Sequence, residues 1–154
     1  MTPTPNNKIS VVSLDKRFKK QEAEIKKDIL RVLEILNSGA QRDRSPDRKR
    51  RGKDKISIDI YLAGNAVMKK LNVKFKNKNY PADILSFEEP SDFIMPESEQ
   101  KKVGEIFLNV SKKSGIKKLL VHGVLHLFGY THKKERDGEK MERMEDKIIN
   151  DLTF

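Results

Sequence analysis

Apolar and polar residues alternate along several short segments of the chain. In 56–63, ISIDIYLA, every second residue is a large aliphatic one, and a two-residue period is typical of a strand with one buried face. The side chains expected to face the core are those of Ile56, Ile58, Ile60 and Leu62. Short apolar stretches predict three further strands, which are 9–14, 83–89 and 103–110.

Other segments carry apolar residues at intervals of three and four, the spacing of a helix with one buried face. They are 21–37, a short segment after Asn65, 114–130 and 135–152. Asn65 is the expected N-cap of the second helix, which would bury Val67, Met68 and Leu71, and Ser114 is the expected cap of the third. The order β-α-β-α-β-β-α-α predicts an α+β fold, with a small mixed β-sheet of about four strands and helices packed on it.

A length of 154 residues predicts one domain. We assign it to 9–154, after a disordered leader at 1–8. The segment 41–55 contains no apolar residue but does contain Pro46 and Gly52, so it predicts a basic loop inserted in that domain. Its Arg and Lys side chains either bind RNA phosphates or form a solvated insertion, and the sequence leaves both interpretations open.

Lys and Arg outnumber Asp and Glu by 33 to 23, which gives a net charge of +10. Such a charge favours polyanionic partners, nucleic acid above all, although a solvated lysine-rich surface is the alternative. No apolar run approaches the roughly 18 residues of a membrane span, and the first residues do not resemble a signal peptide. The absence of cysteine excludes a disulfide-linked partner and suits the cytoplasm, where we expect the protein.

All three histidines lie in one window, HGVLHLFGYTH at 122–132. His122 and His126 are four residues apart, so on a helix they share a face. Gly129 allows the positive φ that would end the helix and turn the chain back, bringing His132 towards the other two. Three imidazoles leave a fourth position open to water, as in catalytic zinc sites. We therefore predict one metal ion per chain at these residues, zinc by default and nickel as the alternative. The alternative interpretation is that the histidines have this spacing but do not bind a metal.

The same window matches the metzincin protease pattern H-E-x-x-H-x-x-G-x-x-H at every position but one. In those proteases the glutamate is the general base, and here Gly123 takes its place. Glycine cannot accept a proton, so the window disfavours a peptidase.

The histidine window resembles the signature of the YbeY-type endoribonucleases, bacterial rRNA maturation factors whose pattern is H-G-x-L-H-L-x-G-Y-D-H. The stretches YPADILSFEEP, GEIFLN and MERMEDKII resemble further motifs of that family, and the likeness extends from about residue 9 to the C-terminus. It implies an α+β fold, zinc on the three histidines and cleavage of single-stranded RNA. It also implies a role in 16S rRNA 3′-end maturation and ribosome quality control, with an rRNA precursor and the ribosomal small subunit as partners.

Three positions depart from the family pattern. Thr131 replaces the aspartate before the last histidine, Glu105 replaces the aspartate of the G-D-I motif, and Lys76 stands where the family has arginine. The resemblance makes Lys76 the candidate catalytic cation for the charge that grows on a phosphate, although lysine lacks the planar fork of arginine. An ordinary surface lysine is the alternative.

Two other functions remain open. One is a zinc-dependent hydrolase that acts on a different phosphoester or on an amide. The other is a non-catalytic, basic, ribosome-associated binding module with a structural metal. Since structural zinc sites have four protein ligands, a fourth ligand such as Glu135 or Asp137 would favour the binding module.

Overall fold

The computed structural model describes residues 8–39, 56–88, 101–112, 115–130 and 134–152. Within these ranges the elements follow the predicted order, with one additional 3-10 helix. They are β1 (Lys8–Ser13), the 3-10 helix (Lys16–Gln21), α1 (Glu22–Gly39), β2 (Ile56–Ala63), α2 (Asn65–Lys76), β3 (Ile84–Glu88), β4 (Lys101–Asn109), α3 (Ile116–Leu127) and α4 (Glu135–Leu152). The predicted basic loop at 41–55 lies outside the described residues, as does the predicted leader except Lys8, which opens β1.

The described strands form one mixed sheet in the order β1-β2-β4-β3, which confirms the predicted α+β fold. β1, β2 and β4 run parallel, whereas β3 runs antiparallel to β4 along one edge. In the centre of the sheet, Ile60 of β2 lies beside Ile106 of β4. β3 therefore forms this edge of the sheet, and α3 is the helix that packs against it.

The predicted alternation along β2 is confirmed. Ile58, Ile60 and Leu62 are fully buried, whereas Asp59 and Tyr61 on the opposite face are half-buried. The buried set joins residues of α1, α3 and α4 in the main core, where burying one such side chain contributes about 1.5–3 kcal/mol. The second face of the sheet carries α2 and a smaller apolar cluster.

Two expectations about α2 are wrong. Gly64 rather than Asn65 occupies its N-cap position, and the N–H of Asn65 donates to Oγ of Ser111 at 3.1 Å. The carboxamide oxygen of Asn65 accepts a hydrogen bond from Asn109 Nδ2 at 2.9 Å. Val67 is 36% exposed, while Met68 is buried and Leu71 is partly buried. The apolar stripe of α2 is therefore narrower than predicted, since Val67 lies about 100° round the helix from Met68.

α3 packs closely against β3 through Gly123. A Cβ atom at this position would lie 2.6 Å from Cδ1 of Ile84 and 3.1 Å from Oγ of Ser86. The predicted cap Ser114 lies outside the described residues. Gly115, with φ of 78°, occupies the N-cap position and provides no side-chain hydrogen bond.

The predicted end of this helix at Gly129 is confirmed. Gly129 has φ of 95°, and its N–H donates to the His126 carbonyl at 3.0 Å. The Tyr130 N–H donates to the Leu125 carbonyl, also at 3.0 Å. These two bonds form a Schellman motif, the turn that glycine after a helix favours.

None of the helices in the described ranges is long and apolar enough to cross a membrane.

Candidate metal centre and adjoining groove

His122 and His126 lie on the same face of α3, as the sequence predicts. Their Nε2 atoms are 2.9 Å apart, the ring centroids are 4.4 Å apart and the ring planes meet at 80°. The two rings therefore converge through the same nitrogen.

The opposite nitrogen of His126 is fixed by the turn that follows the helix. Its Nδ1 lies 3.0 Å from the backbone carbonyl oxygen of Tyr130. A carbonyl only accepts, so Nδ1 carries the hydrogen and a neutral ring keeps its lone pair on Nε2. The Schellman turn at Gly129 thus sets both the orientation and the tautomer of His126.

The opposite nitrogen of His122 is fixed by α4. Its Nδ1 donates to the carboxylate of Glu145, which is only 8% exposed. Sequence reasoning missed this residue, although a signal was present. Glu145 falls four residues after Met141 and three before Ile148, both fully buried, so it interrupts the apolar stripe of α4. A carboxylate in such a stripe requires a buried partner.

This arrangement fits a metal ion. Metal-binding histidines commonly donate their second ring N–H to a carboxylate or a backbone carbonyl, as His122 and His126 do here. When both rings are neutral, their Nε2 lone pairs face each other, and a cation between them would relieve the repulsion. Two nitrogens about 2.0–2.1 Å from one tetrahedral zinc ion lie roughly 3.3 Å apart, near the spacing of this pair.

The third predicted ligand, His132, lies in 131–133, outside the described residues, and so does Thr131. Within the described ranges no group of three or more His, Asp or Glu side chains is arranged to hold a metal ion. Glu135 and Asp137, the candidates for a fourth ligand, begin α4 and do not join His122 and His126 in such a group.

Gly123 faces the sheet rather than the histidine pair, as its approach to Ile84 and Ser86 shows. A glutamate at this position would point into the contact between α3 and β3. The residue position that carries the general base in the proteases therefore faces away from the paired Nε2 atoms. Its close contact with β3 is a structural reason for glycine at this position.

A groove of about 700 Å³ opens beside the histidine pair. His122 and Lys76 both line it, so two of the predicted site residues share one cavity. Three further lysines line it as well, and sequence reasoning had not selected any of them. They are Lys78, Lys112 and Lys118. Asp83 is the one carboxylate among the described lining residues, so the groove is strongly basic.

Buried carboxamides hold the wall of this groove that follows α2. Asn72 is 2% exposed, and its Nδ2 donates to the Tyr80 carbonyl at 2.9 Å. Asn109 Nδ2 donates to the Ala82 carbonyl at 3.2 Å. Asn77 ends α2 with a left-handed φ of 56°. The segment that carries Lys78 is therefore held to the body of the domain.

Comparison with known proteins places the chain in a family. The family model of endoribonuclease YbeY matches residues 12–153. The endoribonuclease YbeY of Pelagibacter ubique (strain HTCC1062) is 39% identical over 106 residues, covering 61% of this chain and 68% of that protein. That of Persephonella marina (strain DSM 14350 / EX-H1) is 27% identical over 160 residues, covering 96% and 90%. The chain therefore belongs to the endoribonuclease YbeY family.

Proposed function

We propose that this protein is a metal-dependent endoribonuclease that binds single-stranded RNA in the lysine-lined groove and cuts it beside the histidine pair. The observation that carries the proposal is the convergence of the His122 and His126 Nε2 atoms, 2.9 Å apart, at the edge of that groove. Membership of an endoribonuclease family supports the same reaction class. We propose zinc as the metal, one ion per chain with His132 as the third ligand, and nickel as the alternative.

A divalent metal held there would polarise a phosphate oxygen and make a water molecule more acidic. The protein's own part is to hold the ligands. The Glu145 carboxylate and the Tyr130 carbonyl each accept from an Nδ1–H, which keeps each Nε2 lone pair directed at the shared position. Glu145 is therefore a positioning residue.

The lysines of the groove supply the charge that phosphates require. Lys76 lines the groove that His122 also lines, and we propose that it stabilises negative charge on the phosphate that is cut. Lys78, Lys112 and Lys118 would bind neighbouring phosphates. The choice of RNA over DNA rests on family membership, since phosphate contacts alone do not distinguish the two.

Family resemblance also supports a biological role. We propose that the RNA is an rRNA precursor, that the reaction serves 16S rRNA 3′-end maturation and ribosome quality control, and that the small subunit is the partner in the cytoplasm. The net charge of +10 suits such a partner.

Replacement of His126 by alanine tests the proposed reaction. The variant should lose the metal and cleave single-stranded RNA at less than about one hundredth of the wild-type rate, because a direct ligand matters at least as much as its hydrogen-bond partners. Its affinity for RNA should persist, because binding rests on lysine and arginine. Cleavage that survives in the variant would contradict the proposal. A wild-type chain that binds metal and RNA but cuts nothing would favour the non-catalytic binding module.

A further inference from the structure

We propose that Tyr80 is a base-stacking residue that gives the groove its preference for unpaired RNA. This inference rests on the proposed function, because it assumes that RNA occupies the groove beside His122. It assigns a specificity role to a side chain that the metal centre and the lysines do not require.

Tyr80 is 54% exposed although it is aromatic, and it lines the groove together with Lys78 and His122. None of the ring pairs among the described residues includes it. A large planar side chain thus stands in a basic groove with its apolar surface open to solvent.

Two other aromatic residues provide a contrast. Phe75 is 51% exposed, but its ring packs edge-on against Phe87 at 5.1 Å, and it does not line the groove. Phe128 packs against the main core. Of these three side chains, Tyr80 is the one that both lines the groove and has a ring exposed to solvent without an aromatic neighbour.

The backbone that carries this ring is held in place. The buried Asn72 carboxamide donates to the Tyr80 carbonyl at 2.9 Å. Pro81 follows, and a following proline restricts Tyr80 to extended backbone conformations. A ring presented by a fixed backbone loses little freedom when a ligand stacks on it.

Stacking distinguishes single strands from duplexes, whereas lysines do not. Both forms present phosphates to a basic groove. Only an unpaired, unstacked base offers its face to an aromatic side chain, and such contacts are tolerant of sequence. Tyr80 therefore supplies the contact that the four lysines cannot.

The test compares three variants of the zinc-loaded full chain: Tyr80→Ala, Tyr80→Phe and the control Phe75→Ala, which removes an equally exposed ring outside the groove. The ligands are a phosphorothioate-linked single strand, which resists cleavage, and a duplex of the same sequence. A 2-aminopurine base in the single strand reports stacking through quenching of its fluorescence. Thermal unfolding of each variant checks that it remains folded.

We expect Tyr80→Ala to weaken single-strand binding by about 5- to 100-fold, to reduce the quenching and to leave duplex affinity within about twofold, as a lost stacking contact predicts. Tyr80→Phe keeps the ring and should behave like the wild type, as should Phe75→Ala. An unchanged single-strand affinity in Tyr80→Ala, an equal loss with the duplex, or an equal loss in Tyr80→Phe would overturn the assignment.

These outcomes are separable from the failure of the proposed function. A wild-type chain that binds single strands through Tyr80 but does not cut them would contradict the nuclease proposal and support the stacking role. A wild-type chain that cuts RNA, together with a Tyr80→Ala variant that binds single strands as tightly as the wild type, would support the nuclease proposal and contradict the stacking role.

Discussion

The carboxylate of Glu145 on α4 accepts a hydrogen bond from Nδ1 of His122 on α3, across 23 residues of sequence. Glu145 is flanked along its helix by Met141 and Ile148, which belong to the main core. The packing of α4 therefore fixes the carboxylate, and the carboxylate fixes the imidazole. Metal affinity and the stability of this helix should be linked, because a ligand that binds the folded state stabilises it.

Replacement of Glu145 by alanine should weaken zinc binding by about 10- to 100-fold, the usual effect of removing the hydrogen-bond partner of a metal-binding histidine. Competition with a chromogenic chelator measures this affinity without reference to RNA cleavage. Glu142→Ala is the matched control, because it removes an exposed carboxylate from the same helix. Equal zinc affinities in the two variants would show that Glu145 does not orient His122.

Replacement of Gly123 by glutamate restores the protease pattern but should not create a peptidase. The new side chain would enter the contact between α3 and β3, and burying an unpaired carboxylate there should destabilise the fold by at least about 3 kcal/mol. Urea unfolding measures the loss. Gly123→Ala is the control and should destabilise the fold less than the glutamate does. Alanine gains about 1 kcal/mol in helix propensity, which partly offsets the cost of about 1–3 kcal/mol for overpacking. A stable glutamate variant that cleaves peptides would refute the placement of this position.

The double variant Lys78→Ala with Lys118→Ala should reduce the salt dependence of RNA binding. For a single strand, each lost phosphate contact lowers the slope of log affinity against log salt by about 0.7. The matched control is Lys26→Ala with Lys147→Ala, which removes the same charge from exposed sites on α1 and α4 outside the groove. Equal slopes in the two double variants would mean that RNA does not follow the groove.

Asp28 on α1 should make stability depend on pH. Burial raises the pKa of its carboxyl above the ordinary value of 3.8, and the charge of Lys117 offsets part of this rise. The folded-state pKa is higher than the unfolded-state pKa, so ionisation of this carboxyl destabilises the folded state. The protein therefore has its full stability below pH 3.8 and loses part of it as pH rises through the folded-state pKa.

Asp28→Asn should therefore unfold at a modestly higher temperature than the wild type at pH 7 and at the same temperature near pH 3. Glu139→Gln, at an exposed site on α4, is the control for a lost surface charge. A variant that is less stable than the wild type at pH 7 would contradict the sign.

Local patterns were sufficient for much of the fold. The predicted bounds of β2 and α4 match the structure, because alternation and helical spacing are properties of neighbouring residues. The spacing of His122 and His126 predicted their shared face for the same reason. By contrast, the strand order and the narrow stripe of α2 depend on which surfaces meet in three dimensions. Val67 was therefore predicted to be buried when it is not.

Apart from Lys78, which follows the predicted Lys76 by two residues, the parts of the candidate site that sequence reasoning missed arise from contacts between distant segments. Glu145 reaches His122 only because α3 and α4 pack together. Lys112 and Lys118 join Lys76 in the groove because the end of β4 and the start of α3 lie beside the segment after α2. No spacing rule links such positions. The one local signal was an acidic residue in the apolar stripe of α4.

Whether a metal at His122 and His126 is required to cut RNA can be decided by one titration. The purified chain is analysed for metal, stripped with a chelator that is then removed, and supplied with zinc in steps while cleavage of single-stranded RNA is followed. We expect about one equivalent of metal per chain, loss of cleavage on stripping, and full recovery at one equivalent of zinc. Cleavage by the stripped protein, or a purified chain that neither contains nor takes up metal, would contradict the proposed metal centre.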